Sequence, residues 1–168
     1  MKYLPIENQL FIQNRALFFN KMDGNAIAIF NSNDIMPTNA DGTMPFRQNN
    51  DLFWLSGVDQ EESVLVIFPN HPDENMREVL FLKETNEHIA IWEGAKLTKD
   101  GAFKASGIKT VFWLDELENK LDEMISKCDS IYLNKNIHSR SASDVQTRDD
   151  RFRNMITDKY SNKAIKEV

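Results

Sequence analysis

Cysteine is almost absent from this sequence of 168 residues, in which Cys128 is the only one. One thiol cannot close an intramolecular disulfide, so the fold is not cross-linked and a reducing compartment is expected. Cys128 follows a helical pattern and precedes a predicted strand, and no histidine lies near it in the sequence. We therefore interpret it as a small buried hydrophobe and not as a nucleophile.

Long apolar runs are also missing. Segments such as Val64–Pro69 are far shorter than the ~20 residues needed to cross a bilayer. The first residues, Met1–Pro5, lack the apolar core and small-residue cleavage site of a secretory signal. These absences predict a cytoplasmic protein without a membrane partner.

Positive charge is in deficit, with 20 Lys and Arg against 26 Asp and Glu, a net charge of −6. Nucleic acids and anionic membranes require a clustered positive field, so neither is an expected partner. The clearest basic group is Arg148, Arg151 and Arg153, and Asp149 and Asp150 dilute it. We interpret this group as a solvated helix face.

Motifs for metal binding or catalysis are not found. His71, His88 and His138 lack the i, i+4 spacing of a helical zinc site, and no glycine-rich phosphate loop or Gly-x-Ser-x-Gly motif occurs. The adjacent carboxylates Glu61–Glu62 and Asp122–Glu123 are explained by solvation, because neighbouring residues on a helix point in different directions. We expect no catalytic residue, metal ligand or cofactor site in this chain.

Hydrophobic periodicity predicts alternating helices and strands. Three helices are predicted at 6–22, 100–106 and 144–160, and two more are predicted to begin after the capping residues Asn50 and Asp115. Strands are predicted at 26–30, 63–68, 78–82, 110–113 and 130–133. Residues 87–92 are ambiguous between helix and strand. In the last helix, Val145, Phe152, Met155 and Ile156 are expected to point inward.

This order of elements, with at least one tight hairpin, predicts a mixed sheet covered by helices. The length fits one domain, which we place at residues 1–160. Residues 161–168 are polar and are expected to form a mobile tail or the start of a linker.

The densest unusual stretch is Pro45–Gly57, where Arg, Gln and Asn side chains stand beside three aromatic rings. The residues themselves favour a structural junction in which the polar groups satisfy the loop backbone while Phe53 and Trp54 enter the core. A second stretch, Ile91–Gly94, places a tryptophan beside a glycine. That tryptophan is either a core anchor or an aromatic wall on a tight turn.

The stretch Met44–Val58 resembles the signature of the N-terminal domain of Xaa-Pro aminopeptidases, the aminopeptidase P family. Three later segments resemble the family in the same order and spacing: Glu61–Val66, Ile91–Gly94 and Gly107–Val111. The similarity runs from about Arg15 to Leu133. Departures are mild: Met44 replaces an aromatic residue, Asn50 a serine and Ser56 a threonine.

The resemblance implies an α/β fold with a mixed, roughly six-stranded sheet flanked by helices on both faces, the ribonuclease H-like fold of creatinase and aminopeptidase P N-terminal domains. It also implies that Trp92 and Asp41 line a substrate pocket. For Trp92 the alternative is core packing, and for Asp41 it is a carboxylate within a loop turn. The structural signature consists of Arg47, Gln48, Asn49, Asp51, Phe53 and Gly57. We expect Arg47 to bind polar groups around it, so that Arg47→Ala would destabilise the domain.

The same resemblance implies that catalysis belongs to a separate C-terminal domain, where two aspartates, a histidine and two glutamates hold two manganese ions. That domain would be the first partner of this chain. A homo-oligomer, dimeric or tetrameric, is the second. Peptides with proline in the second position are the substrates, and this chain alone is expected to be inactive while it gates the pocket and supports oligomerisation.

Two alternatives stay open. The chain could be a stand-alone binding module, or the N-terminal domain of a prolidase or creatinase relative, because one fold serves several functions. An independent hydrolase is disfavoured because no spaced set of metal ligands is present.

Overall fold

A computed structural model describes residues 6–136, 138 and 145–168, without the side chain of Trp92. Its helices are α1 (Asn8–Phe19), α2 (Asn50–Ser56), α3 (Glu87–Glu93), α4 (Lys99–Ser106), α5 (Leu117–Ile125) and α6 (Arg148–Lys159). Its strands are β1 (Ala26–Asn31), β2 (Ser63–Ile67), β3 (Glu78–Leu82), β4 (Thr110–Trp113), β5 (Ser130–Leu133) and β6 (Ala164–Glu167). Two short 3₁₀ turns occur at Glu74–Met76 and Leu114–Glu116.

The six strands form one mixed sheet in the order β4-β3-β2-β1-β5-β6. Strand β2 is antiparallel to both β1 and β3, whereas β3–β4, β1–β5 and β5–β6 are parallel pairs. Strands β2 and β3 are joined by a short connection and are antiparallel, whereas β3–β4 and β5–β6 are joined through helices and are parallel. Strands β1 and β2 are antiparallel although residues 32–62, including α2, lie between them. The predicted mixed, roughly six-stranded sheet is confirmed.

Apolar cores lie on both faces of this sheet. Successive side chains of a strand point to opposite faces, so the apolar run of β1 sends Ile27 and Ile29 to one core and Ala28 and Phe30 to the other. Helices α5 and α6 close the first core; α1, α2 and α4 close the second. Residues 26–30 of the strand are all apolar because both of its faces are covered.

The buried face of helix α1 is partly polar. Leu17 is 58% exposed and Leu10 47%, whereas Phe11, Asn14 and Arg15 are buried. The helix packs on the ends of α2 and α4 as well as on the sheet, and those ends present carbonyl oxygens that need polar donors. A buried face with this composition does not produce an apolar period.

The buried Arg15 joins three elements to α1. Its Nη1 donates to the carbonyl oxygen of Leu55 at 2.8 Å and to that of Ser106 at 3.0 Å, at the C-terminal ends of α2 and α4. Its Nη2 lies 3.0 Å from Oε2 of Glu78 on β3, an ion pair without hydrogen-bond geometry. One guanidinium therefore binds two helix ends whose partial charge is negative.

The ends of α2 and α4 are built alike. Ser56 Oγ donates to Leu52 O and accepts from the backbone N–H of Val58. Ser106 Oγ makes the equivalent two bonds, donating to the carbonyl oxygen four residues before it and accepting from the backbone N–H two residues after it. Gly57 and Gly107 follow in the left-handed conformation, with φ of +69° and +75°. Two helices with the same ending thus pack side by side against α1.

Several predicted helix starts are wrong by a few residues. Asn49 caps α2 in place of Asn50, and Asp115 lies within the 3₁₀ turn that precedes α5. Helix α6 starts at Arg148 with Thr147 as its cap, so Val145 precedes it and is exposed. Asp144 lies outside the described residues. Of the remaining residues expected to point inward from α6, Ile156 is buried and Phe152 packs on the core, whereas Met155 is exposed.

The expected polar tail contains a strand. Residues Ala164–Glu167 form β6, parallel to β5 at the edge of the sheet. An edge strand is half exposed, so its sequence carries little apolar signal, and only Ile165 packs on the core.

Among the described residues no helix is both long enough and apolar enough to span a bilayer. Cys128 is buried, as predicted, and its burial raises the pKa of the thiol. A thiol held in its protonated form is a poor nucleophile.

Candidate functional site

The signature loop lies beside an open polar cleft of about 470 Å³. Its walls include Asp34, Arg47, Asn49, Arg148 and Asp149. Asn33 follows β1 and Asn136 follows β5, and both line it, so the cleft stands beyond the carboxyl ends of two parallel neighbouring strands. Ligand sites of open α/β sheets are commonly found at such strand ends.

Gln48 holds the loop that leads into β2. Its Nε2 is within 3.0 Å of Val58 O, 2.8 Å of Gln60 O and 3.3 Å of Ser63 Oγ, while its Oε1 accepts from the backbone N–H of Asn49 at 2.7 Å. An amide can serve these groups because it carries both donors and an acceptor. Gln48 thus connects the signature loop to the residues before β2.

Asn49 and Asp51 join α2 to two distant segments. Asn49 Oδ1 caps α2 by accepting from the backbone N–H groups of Asp51 and Leu52. Its Nδ2 donates to Asp149 of α6 at 3.3 Å. Asn134, just after β5, donates to Asp51 at 3.0 Å. The cleft wall is therefore one hydrogen-bonded network from three parts of the chain.

The carboxyl group of Asp149, in the cleft wall, has a pKa well above its ordinary value. Burial is the main cause that raises the pKa of its carboxyl to about 6, and the negative charges of Asp150 and Asp51 add to it. A hydrogen bond from Asn31 opposes the rise. The Oδ1 of Asn31 is itself buried without a hydrogen-bond partner among the described residues.

Two arginines of the cleft, Arg47 and Arg148, make no side-chain hydrogen bond or ion pair within the described part of the chain. Arg148 is half-buried, and burial lowers the pKa of its guanidinium. Arg47 is exposed at the mouth of the cleft and makes no side-chain hydrogen bond within the described part of the chain. The expectation that Arg47 binds the polar groups around it is therefore wrong, because the amides of Gln48, Asn49 and Asn134 satisfy them.

The aromatic residues of the signature point in different directions. Phe53 is half-buried and packs edge-to-face on Phe11, with ring centroids 6.0 Å apart. Trp54 is 48% exposed, so its predicted entry into the core is wrong; Leu52 and Leu55 fill that place. Its backbone carbonyl accepts from Asn14 Nδ2 at 2.7 Å. Gly57 packs directly beneath the Phe11 ring.

Asp41 is not among the described residues that line the cleft. Asp41 is exposed at the tip of a loop closed by the bridge between Pro37 and Thr43. Trp92 belongs by its backbone to α3, which resolves the ambiguity of residues 87–92 in favour of a helix, but its side chain lies outside the described residues. Its neighbour Ile91 is 73% exposed.

The described residues do not fit a metal pair, since no group of three or more His, Cys, Asp or Glu among them could hold an ion. Buried His71 is engaged in the fold instead: Nδ1 contacts the backbone of Asp73 and Nε2 lies 3.3 Å from Lys127 Nζ. If Nδ1 donates to Asp73 O, Nε2 can accept from the lysine.

Fold and site together define an α/β domain with a mixed six-stranded sheet and an amide-rich signature loop at its strand ends. The chain belongs to the family described as aminopeptidase P, N-terminal domain, whose model matches residues 11–132. The sequence resemblance to this family is confirmed.

Similar proteins are longer than this chain. The Xaa-Pro aminopeptidase of Escherichia coli is 28% identical over 128 residues, which are 76% of this chain and 29% of that protein. Human Xaa-Pro aminopeptidase 3 is 25% identical over 103 residues, 60% of this chain and 19% of that protein. This chain thus spans less than a third of these relatives.

Solved structures share the fold. Aminopeptidase PepP of Pseudomonas aeruginosa superposes with a TM-score of 0.76 at 22% identity, covering 98% of this chain and 36% of that one. The low-pH form of aminopeptidase P from E. coli gives 0.73 at 22% identity, with 96% and 36% covered. At this identity the similarity establishes the fold alone.

Proposed function

We propose that this chain is the accessory N-terminal domain of a Xaa-Pro aminopeptidase, a metal-dependent hydrolase that removes the first residue of peptides with proline in second place. The observation that carries the proposal is the family match over residues 11–132 together with relatives of that name of which the chain spans under a third. The catalytic centre, with two manganese ions, would lie in a C-terminal catalytic domain that partners this one.

In this proposal the domain gates the substrate pocket through Trp92 and Asp41. Support comes from their setting: α3 lies on the surface, with Ile91 largely exposed, and Asp41 stands at the tip of an exposed loop. An indole at a pocket rim would exclude water and pack on an apolar side chain, and a carboxylate could pair with a free α-amino group.

The domain also supports a homo-oligomer, dimeric or tetrameric, of the whole enzyme. Exposed Trp54, Met44 and Ile91 offer apolar contact area of the kind that subunit interfaces use. A cytoplasmic location, with no nucleic-acid or membrane partner, accords with the net charge of −6.

The test compares this chain with the full-length protein encoded by its gene, each supplied with manganese. The full-length protein should release the first residue of an Xaa-Pro peptide and spare the matched Xaa-Ala peptide, whereas the chain of 168 residues should release nothing. Cleavage by the short chain, or equal cleavage of both peptides by the long one, would contradict the proposal. Sedimentation of the full-length protein tests the oligomer.

The second candidate is a stand-alone binding module, and the cleft favours it. Arg47 and Arg148 bring to one opening two guanidinium groups that make no hydrogen bond or ion pair with the described side chains, an arrangement that suits a carboxylate. A gene that encodes no metal-ligand set beyond this domain, together with saturable acetate binding lost in Arg148→Met, would support the module over the peptidase domain. Assignment to a prolidase or creatinase relative predicts dipeptide-only or creatine cleavage by the full-length protein.

A further inference from the structure

Two residues before β2, Gln60 and Glu61, contact the segment that follows Trp92, and the next residue, Glu62, is linked to the end of α3 through Lys83. Gln60 Oε1 accepts from the backbone N–H of Leu97 at 2.7 Å, and Glu61 forms an ion pair with Lys96. Glu62 Oε2 lies 3.0 Å from Lys83 Nζ, and the same ammonium lies 2.8 Å from Oε2 of Glu93, the last residue of α3. These contacts, from Gln60 to Glu62 on one side and from Glu93 to Leu97 on the other, are called the α3 tether below.

Charge stabilises the tether from both sides. Hydrogen bonds to Glu93 and Glu62 raise the pKa of Lys83, and the bond to Lys83 lowers the pKa of Glu93. Burial is the largest single effect on the pKa of Glu61 and acts to raise it, but the hydrogen bond from Lys96, a backbone hydrogen bond and the charges of Lys96 and Lys83 together lower the pKa. The ammonium of Lys83 and the carboxylates of Glu93 and Glu61 are therefore charged near neutral pH, where their ion pairs are strongest.

Helix α3 has little else to hold it. None of its described side chains is buried, and only Ile89 and Ala90 are half-buried. Asn86 caps its start and Gly94 ends it at φ +80°, with nothing within 4 Å of the position of an added Cβ. A seven-residue helix is unstable by itself, so its place on the domain depends on contacts with other segments.

The tether is fixed in turn by the signature. Gln48 Nε2 donates to the carbonyl oxygen of Gln60, and Ser63 Oγ donates to the same oxygen, both at 2.8 Å. Glu62 adopts φ +51°, which turns the chain between Gln60 and β2. Contacts thus link Gln48 to Gln60 and Gln60 to Leu97, and two residues further along the chain Glu62 is linked through Lys83 to Glu93 of α3.

We propose that Gln60, Lys83 and Lys96 are positioning residues that set the place of α3, and hence of Trp92, on the domain. The use of Trp92 at a substrate pocket rests on the proposed function, whereas the tether is a property of this chain alone. In this chain the signature Gln48 thus fixes the loop whose residues contact the segment after Trp92.

The test measures amide hydrogen exchange in this chain. Lys83→Met removes the bridge to Glu62 and Glu93, and exchange over residues 86–97 should accelerate about three- to tenfold while the sheet amides keep their rates. Lys159→Met is the matched control, because Lys159 is likewise 35% exposed and bridges Glu118 and Asp122 on the opposite face. It should leave residues 86–97 unchanged, and Lys83→Arg should restore slow exchange.

A spectroscopic signature separates positioning from general stability. In protein labelled with 5-fluorotryptophan, Lys83→Met should shift the ¹⁹F resonance of Trp92, assigned with Trp92→Phe, and leave those of Trp54 and Trp113 in place. Unchanged exchange at 86–97, equal acceleration throughout the sheet, or the same effect from Lys159→Met would overturn the tether.

If Lys83→Met does not fold, hydrogen exchange of the original chain is compared at ~0.05 M and ~1 M salt. Only the amides of residues 86–97 should exchange faster at high salt, and a uniform response of all amides would overturn the tether.

The functional half is tested in the full-length protein. Lys83→Met should raise KM for an Xaa-Pro peptide while kcat stays near its original value, since the tether places a binding group. A selective exchange effect with unaltered KM would overturn the link to substrate binding. Absence of cleavage by the unmodified full-length protein would contradict the proposed function and leave the exchange result standing.

Discussion

The guanidinium of Arg15 donates to the carbonyl oxygen of Ser106 at 3.0 Å, across 91 residues of sequence, and the same Nη1 also donates to Leu55 O. The residue is fully buried, so these bonds form where water cannot replace them. Such a donor is needed because two helices end side by side with unpaired carbonyls. Its counter-charge, Glu78, is only partly exposed.

Replacing Arg15 should therefore cost more than replacing any surface arginine. Arg15→Met leaves two helix-end carbonyls and Glu78 without their partner, and we expect a loss of about 3–5 kcal/mol in the free energy of unfolding. Arg47→Ala, at the exposed mouth of the cleft, should change that free energy by no more than about 0.5 kcal/mol. Urea denaturation of both variants measures the difference. Comparable losses would show that Arg15 is not an essential link.

The glycines after α2 and α4 are required by space as well as by backbone angle. A Cβ at Gly57 would lie 2.2 Å from the Phe11 ring, and one at Gly107 would lie 2.6 Å from Ile12. Gly24 has a similar φ of +62° but nothing within 4 Å. Gly24→Ala should cost about 1–2 kcal/mol for the left-handed conformation alone, and Gly57→Ala and Gly107→Ala clearly more. Thermal unfolding of the three variants checks the order, and equal losses would mean that α1 moves aside freely.

Asp149 should make stability depend on pH in the unusual direction for a carboxylate. Its folded pKa of about 6 is higher than its ordinary value of 3.8, so the folded state prefers the protonated form. The penalty for ionisation is absent below about pH 4, grows as pH rises, and is complete above about pH 6. Asp149→Asn should thus stabilise the protein at pH 7.5, by at most about 3 kcal/mol and, with solvent screening, about 1–2.

The neighbouring Asp150 is the control, because its pKa is shifted in the opposite direction. The side chain of Thr147 in the capping box of α6 is the main cause of the lowered pKa of Asp150. Its contribution is present above the unfolded pKa and is lost as pH falls through the folded one. Asp150→Asn should destabilise at pH 7.5 and have little effect at pH 3. Denaturation at both pH values tests the pair, and the same sign for both variants at pH 7.5 would refute the assignment for Asp149.

Much of the sheet could be predicted because buried strands are locally unmistakable. Ala26–Phe30 is apolar at every position and forms β1, with its side chains alternating between two cores. Helix α1 could not be predicted as well, since Arg15 and Asn14 are buried where an apolar period would place leucines. Strand β6 is not predicted from the sequence because an edge strand with exposed ends needs few apolar residues.

The signature residues indicate the candidate site from the sequence alone, but the hydrogen bonds of that site join residues that only folding brings together. Asn49 binds Asp149 across 100 residues, and no local pattern indicates that pairing. From the sequence alone, Asp149 is interpreted as a carboxylate that dilutes a basic helix face. The spacing of Thr147 and Asp150 is a capping-box pattern that could have placed the start of α6 correctly. Nothing comparable marks Arg47 as exposed.

The last prediction concerns Gln48, whose Nε2 faces three oxygen atoms, those of Val58, Gln60 and Ser63. Gln48→Glu keeps the shape but replaces the donor with a carboxylate oxygen, so acceptors face acceptors and a negative charge is partly buried. We expect a loss of about 2–4 kcal/mol in the free energy of unfolding at pH 7.5. Protonation of the new carboxyl restores a donor, so the loss should shrink near pH 4.

Gln48→Met separates shape from hydrogen bonding. It fills the same space without donors and should cost about 1–3 kcal/mol at every pH, because the three oxygens lose a partner but meet no charge. Since Gln48 also fixes the loop before β2, both variants should speed hydrogen exchange over residues 58–63 more than over β5. Urea denaturation across pH and exchange of those amides measure the two effects. If the loss of unfolding free energy in Gln48→Glu did not depend on pH, or if the amides of residues 58–63 exchanged more slowly, Gln48 would not be the donor to this loop.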